Sequence, residues 1–328
     1  MAENIKEHIT TVPEMKLELV PVPVSDIDRA KAFYVEKVGF HADLDVRPND
    51  TVRIVQLTPP GSACSIVIST GLPTIEMQTG SLRGLHLVVG DINQAREALI
   101  SQGIKVLIIS PVQAEPLTPI VRKVMEANIP VVTLDREVNT AVACRIGAEN
   151  RPIGVNAGKF IIEKLNGRGN VIEIEGTVGA SATIGRHDGF RDALTMAPSI
   201  RVVADQFCDY LSEPAEKFVQ ETLQRLGPGQ IQAIYSHNDQ MALAAMKVAE
   251  AAGRLKEITN VGIDGENSAF QAIKDGKLAA TFTYPFCAPQ GIQYAYNLAI
   301  GEQVPDQIVL KSIRVDASNV DQYLGKGF

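Results

Sequence analysis

The sequence predicts an α/β protein with parallel sheets covered by helices on both faces, preceded by a smaller α+β module of β-α-β-β-β order. Two observations carry that prediction. From about residue 105 short apolar runs alternate with amphipathic stretches of ten or more residues, as strands joined by crossover helices do. Before residue 103 one helical stretch is followed by three strand-sized runs in succession, a pattern that crossover connections do not produce. Composition agrees: 328 residues, 45% hydrophobic and 21% charged, suffice for two ordinary domains and exclude collagen-like, coiled-coil and wholly disordered chains.

Taken in order, Met1 to Glu14 reads as a polar leader carrying Glu3, Glu7 and Glu14, with no apolar stretch of the kind that forms a signal-peptide core. The chain as written is therefore expected to lack an export signal and to be cytoplasmic. The module then offers a strand at 16–24, a helix from Ile27 to Val38, and strands at 41–46, 52–57 and 64–69. A second unit starts with a strand at 84–89 and a helix at 92–102, but the three strands that should follow are missing. Asp26 and Asp91 precede the two helices in similar segments, Val24-Ser-Asp-Ile-Asp and Val89-Gly-Asp-Ile-Asn. They are expected to cap them, because an aspartate there accepts from the orphan amides of the first turn.

The α/β part opens with a strand at 105–110, a helix at 116–128 and a strand at 129–135. Further strands are expected at 142–148, 170–175, 201–209, 231–237, 259–264 and 278–284. Helices fill the intervals and a last one covers 288–300. In such sheets ligands sit beyond the carboxyl ends of the strands, so the residues just past each strand are the ones to read. They include Asp135-Arg136, Asn238-Asp239 and Asp264-Gly265, with Arg186 near a helix start. Carboxylates accept two hydroxyl protons and an arginine fork donates to two oxygens, which suits an uncharged, hydroxyl-rich ligand such as a sugar. Taken singly, each of these aspartates has a plainer reading as a helix cap or a loop salt-bridge partner.

Catalysis finds little support. Gly-x-Ser-x-Gly, Walker and Gly-x-Gly-x-x-Gly motifs are absent, so no catalytic residue, metal or cofactor is expected. The five histidines show no i, i+4 pairing and read as surface or capping residues. Cys64, Cys144, Cys208 and Cys287 lie far apart and read as buried free thiols. The small-residue segment Gly176-Thr-Val-Gly-Ala-Ser181 suits an anion cradle, a close backbone approach to a ligand or a tight turn equally well. With a net charge of −7 and no basic patch, the chain is not expected to bind nucleic acid. No apolar run approaches the roughly 20 residues that cross a bilayer, so it is not expected to be embedded in a membrane.

Ordered motifs from about Gly103 to Phe328 resemble the type I periplasmic sugar-binding proteins, in particular their ribose and galactofuranose branches. These motifs are Val106-Leu-Ile-Ile-Ser-Pro111, Ile129-Pro-Val-Val-Thr-Leu-Asp-Arg136, Glu175-Gly-Thr-Val-Gly-Ala-Ser181 followed by Arg186 and Gly189-Phe190, Ser236-His-Asn-Asp-Gln-Met-Ala-Leu243, and Gly262-Ile-Asp-Gly265. The resemblance implies two lobes of doubly wound parallel sheet closing on a monosaccharide delivered to an ABC transporter, in the periplasm. It places Asp135 and Arg136 on the first lobe and Arg186, Asn238 and Asp264 on the second. Tyr210 matches an aromatic that stacks on the sugar, and Tyr284 replaces the hydrogen-bonding Gln of ribose binders. Lobe crossings are implied near Glu149-Asn150, Tyr284-Pro285 and Ile313-Arg314. The expected organisation is thus a leader at 1–14, the module at 15–103, a first lobe at 104–149 plus 285–313, and a second lobe at 150–284 plus 314–328.

The module resembles the vicinal-oxygen-chelate fold of glyoxalases and bleomycin-resistance proteins through Val24-Ser-Asp-Ile-Asp-Arg-Ala-Lys-Ala-Phe-Tyr34, Lys37-Val-Gly-Phe40 and Leu57-Thr-Pro-Pro-Gly-Ser62. The position of that family's first metal ligand holds Leu19. Both resemblances are truncated where they meet. The strand at 85–89 and helix at 92–102 are accordingly expected to complete the first lobe, the alternative being a recombinant or engineered chimera with an impaired sugar site. Two further readings stay open: a metal-dependent lyase or dioxygenase acting through the module, and a sugar-responsive transcription regulator, for which the chain lacks a helix-turn-helix.

Overall fold

The computed structural model describes residues 19–72, 77, 97 and 103–327, which fall into two compact units divided after Gly103. The cap at Asp91, the strand at 84–89 and, but for residue 97, the helix at 92–102 lie outside the described residues.

In the first unit a four-stranded sheet runs β1-β4-β3-β2, from β1 (Leu19–Pro21), β2 (His41–Val46), β3 (Arg53–Thr58) and β4 (Ser65–Thr70). β1 pairs parallel with β4, and the other neighbours pair antiparallel. Helix α1 (Ile27–Ala32) starts at Asp26, whose carboxylate accepts from the Arg29 amide at 3.0 Å, as its position predicts. The expected helix to Val38 is covered, but its second half, Phe33–Val38, is π-wound and stops at Gly39, whose φ of 84° suits a residue without a Cβ. Ile27 and Phe40 pack with Val55, Leu57, Ile66 and Ile68 to form the unit's core.

The second unit holds two sheets. One is four-stranded and wholly parallel, in the order β13-β7-β6-β5, from β5 (Leu107–Ile109), β6 (Val131–Leu134), β7 (Cys144–Gly147) and β13 (Gln307–Val309). The other is six-stranded, β14-β12-β11-β10-β8-β9. Its strands are β8 (Arg168–Glu175), β9 (Ser199–Phe207), β10 (Ala233–Ser236), β11 (Thr259–Asp264), β12 (Ala280–Thr283) and β14 (Arg314–Asp316). The sequence reading missed β13 and β14, three-residue segments too short to show any period. β14 also departs from the expected parallel pattern, since it runs antiparallel to β12 along the edge.

The helices are α2 (Ala114–Glu126), α3 (Asn150–Lys164), α4 (Ser181–Leu194), α5 (Ser212–Arg225), α6 (Asp239–Ala251), α7 (Asn267–Lys274) and α8 (Ala288–Ala299). α3 and α4 share one core with the six-stranded sheet, built on Ile153, Phe160, Phe190 and Tyr235. On the other face α5 and α6 pack Phe218, Val219 and Met241 against Ile172, Ile174 and Ile234. α8 returns to the four-stranded sheet, where Gly291 sits against Leu134 so closely that a Cβ would lie 2.6 Å from it. The chain therefore passes between the sheets three times, at 148–149, 284–287 and 310–313.

Candidate functional site

The carboxyl ends of both sheets face one cavity of about 380 Å³, and all seven residues singled out from the sequence line it: Asp135, Arg136, Arg186, Tyr210, Asn238, Asp264 and Tyr284. Leu134, Ala182, Pro285, Phe286, Cys287 and Ala288 complete the wall. Asp135 and Arg136 directly follow β6, and Asp135 adopts a φ of 64° that turns the chain into the cavity. Arg136 donates to the Val112 carbonyl at 3.1 Å, and its guanidinium lies 5.4 Å from the centre of the Tyr210 ring.

Arg186 stands at the centre. It is 4% exposed, donates from Nε to Asn150 Oδ1 at 2.9 Å and from Nη1 to the His237 carbonyl, and holds Nη2 3.8 Å from Asp264 Oδ1. The Tyr210 and Tyr284 rings flank its guanidinium, at 5.8 and 5.0 Å. Burial alone would lower its pKa, but the surrounding oxygens, Asp264 and Asp135 among them, outweigh burial and raise it. The Asp264 carboxyl is pushed well above its ordinary value by burial, against the pull of Arg186 and with a further push from Asp239 and Glu266.

Tyr210 has a φ of 63°, and its hydroxyl shares a 2.8 Å hydrogen bond with Thr183 Oγ1. Its ring lies over Gly176, where a Cβ would come within 2.1 Å of it. Close approach of the protein's own Tyr210 ring, which none of the sequence readings of this segment named, thus accounts for Gly176. Asn238 caps α6 by accepting from the Met241 amide at 3.0 Å, while its Nδ2 donates to the Tyr210 carbonyl at 3.1 Å. The Tyr284 hydroxyl donates toward the Asp135 carbonyl at 3.1 Å and accepts from Asn150 Nδ2 at 3.4 Å. Asn150, which links Arg186 to Tyr284, was visible in the sequence only as a crossing point between lobes.

Asp239 does not line the cavity: it is fully buried and, among the described residues, neither caps a helix nor pairs with a cation. Two histidines depart from expectation. His237 is fully buried; its Nδ1 accepts from the Gly176 amide at 3.3 Å, which assigns the ring proton to Nε2, 3.2 Å from Glu173 Oε1. His187 lies 3.1 Å from Glu173 and 3.3 Å from Glu175, and Arg191 holds the other Glu173 oxygen at 2.8 Å. Burial raises the Glu173 pKa, but the hydrogen bonds from both histidines outweigh it and bring it down to about 2. Glu175 goes the other way, to about 7, through burial and the charge of Glu173. The four cysteines are free thiols; three are buried, whereas Cys64 is half-buried.

Two lobes of α/β structure with charged and aromatic groups converging between them define a solute-binding cleft. Residues 90–303 match the periplasmic binding protein domain family, and the chain belongs to it. Residues 8–113 match the glyoxalase/bleomycin resistance protein/dioxygenase superfamily, so the two matches overlap at 90–113, where the sequence resemblances also meet. A galactofuranose-binding protein of Escherichia coli (strain K12) is 30% identical over 214 residues, covering 61% of this chain and 67% of that protein. A ribose import binding protein of Haemophilus influenzae is 34% identical over 215 residues, covering 65% and 72%. The periplasmic binding protein of the arabinose ABC transporter from Shewanella sp. ANA-3, solved with α- and β-L-arabinofuranose, superposes with a TM-score of 0.67 at 26% identity, covering 71% of this chain and 80% of that one. Among the described residues no helix is long and apolar enough to cross a membrane.

Proposed function

We propose that this chain captures a monosaccharide, a pentose or hexose, in the cleft between its two sheets and hands it to an ABC-type importer. The observation that carries the reading is the convergence of Asp135, Arg136, Arg186, Tyr210, Asn238, Asp264 and Tyr284, spread over 150 positions of sequence, on one cavity. The two aspartates accept sugar hydroxyls, the two arginines and Asn238 donate to sugar oxygens, and the Tyr210 ring covers the apolar face. Hydrogen bonds to charged groups contribute roughly 1.5 to 3 kcal/mol each, so four such residues reach the ~8 kcal/mol of micromolar affinity before ordering costs are subtracted. Relatives that bind ribose, galactofuranose and arabinofuranose support the ligand class. The reading is of binding without turnover, and the cleft's thiol fits it: burial pushes Cys287 up to about 11, away from a nucleophilic thiolate at neutral pH. The amino-terminal module is assigned no metal-dependent turnover, because Leu19 stands at the position that resembles its family's first ligand.

The test is a thermal-shift and calorimetric screen against pentoses and hexoses, including sugars that form furanoses. Ligand at 100 times its Kd should stabilise by about 2.7 kcal/mol and raise the midpoint by a few degrees. Asp135→Ala and Arg186→Ala should each lower affinity by roughly a hundredfold, about 2.7 kcal/mol. No shift and no heat with any sugar would overturn the reading, whereas a stoichiometric metal with turnover at the module would favour the enzyme alternative.

A further inference from the structure

Asp239 is a fully buried carboxylate that the ligand chemistry above leaves unused. It opens α6, but capping falls to Asn238, and among the described residues no cation pairs with it. Its oxygens instead reach 26 and more positions along the chain. Oδ2 accepts from the Gly265 amide at 2.8 Å and the Glu266 amide at 2.9 Å, and Thr281 Oγ1 donates to the carboxylate at 2.7 and 2.9 Å. Gly262 leaves the space this requires, since a Cβ there would fall 2.2 Å from Asp239 Oδ1. The turn held in this way is strained. Asp264 has a φ of 132°, which L side chains rarely adopt, and Gly265 follows at 82°. Such a conformation persists only where its surroundings over-determine it.

We propose that Asp239 is a positioning residue for the sugar site: it fixes the Asp264–Gly265–Glu266 turn so that the Asp264 carboxylate is presented to the cleft beside Arg186. The consequence for binding rests on the sugar-binding reading; the effect on the turn does not. Asp239 also acts through its charge. The ionisable groups facing Asp264 are Arg186 from α4, Asp135 from the end of β6, Asp239 from α6 and Glu266 in its own turn. An asparagine at 239 would keep an oxygen for the two turn amides and offer its NH₂ to Thr281 Oγ1, while removing one negative charge from beside Asp264.

The experiment follows the Asp264 carboxyl by ¹³C NMR titration and the Gly265 and Glu266 amides by hydrogen exchange in the full chain. The proteins are wild type, Asp239→Asn, Asp239→Ala and Thr281→Val, with D-ribose, L-arabinose and D-galactose as calorimetric probes. In Asp239→Asn the Asp264 midpoint should move to lower pH, with amide exchange and affinity within about threefold of wild type. In Asp239→Ala the two amides should exchange at least about tenfold faster and sugar affinity should fall at least about tenfold, about 1.4 kcal/mol. Thr281→Val removes the hydroxyl that donates to Asp239 and accepts from the Gly265 amide at 3.3 Å, and leaves the Glu266 amide bonded to the carboxylate; it should speed exchange at Glu266 by about threefold and keeps the test decisive if the alanine variant does not fold. Unchanged exchange in the alanine and valine variants, together with an unmoved Asp264 midpoint in the asparagine variant, would overturn the proposal. A wild type that binds none of the three sugars would count against the sugar reading, and the NMR arms would still decide the role of Asp239.

Discussion

Arg186 is a cation almost wholly out of water, and each of its nitrogens meets an oxygen from a different part of the chain: Asn150, the His237 carbonyl and Asp264. Its place in the cavity wall was legible, because it lies near a helix start in an ordered motif. Its anchors were not, since Asn150 and His237 lie 36 and 51 positions away and no local period reports such distances. The same holds for Asp239, where sequence cannot separate a cap from a brace whose partners lie far along the chain. Glu175 supports a prediction at this scale. Its folded pKa of about 7 lies above the ordinary 4.5, so the stability it contributes is full below about pH 4.5 and is lost as pH rises through 7. His187, also raised, acts in the same direction, whereas Glu173, lowered to about 2, holds its contribution above pH 4.5 and loses it as pH falls toward 2. Glu175→Gln should therefore raise the thermal midpoint by roughly 2 °C at pH 8 and leave it unchanged at pH 5, read by scanning calorimetry.

Helices α3 and α4 cross at backbone contact. A Cβ on Gly154 would lie 2.2 Å from the Arg186 carbonyl oxygen, and one on Gly189 would lie 2.0 Å from that of Arg151. The crossing sets how far Arg186 stands from the sheet, so packing and recognition share one pair of glycines. Gly154→Ala should destabilise by about 1 to 3 kcal/mol in denaturant unfolding and weaken sugar binding as well, because relief of the clash moves Arg186. Both helices were legible from their length between strand-sized runs; their closeness was not, because a glycine inside a helix reads equally as a tolerated weakness. The short edge strands β13 and β14 escaped for a related reason. Their placement depends on pairing with β7 and β12, not on any pattern of their own.

Across the molecule, every residue lining the cleft falls between Leu134 and Ala288, within the second unit. Sugar should therefore slow amide exchange at 135–136, 238 and 264–266 while leaving β3 and β4 of the first unit unchanged, read by mass spectrometry of the intact chain with and without ligand. The alternation of strands and helices made the two-sheet architecture readable, and the strand-end rule pointed to the cleft. The three passages between the sheets carry one more consequence. They lie side by side: the Leu310 amide donates to the Gly147 carbonyl, the Thr283 amide to the Ile313 carbonyl, and the Tyr284 hydroxyl reaches the carbonyls of Asp135 and Ala148. A row of laced connections resists torsion, as the spine of a book does. The two halves of the site are thus held in one register, and partners that meet across the cleft, such as Tyr284 and Asp135, are kept opposite each other.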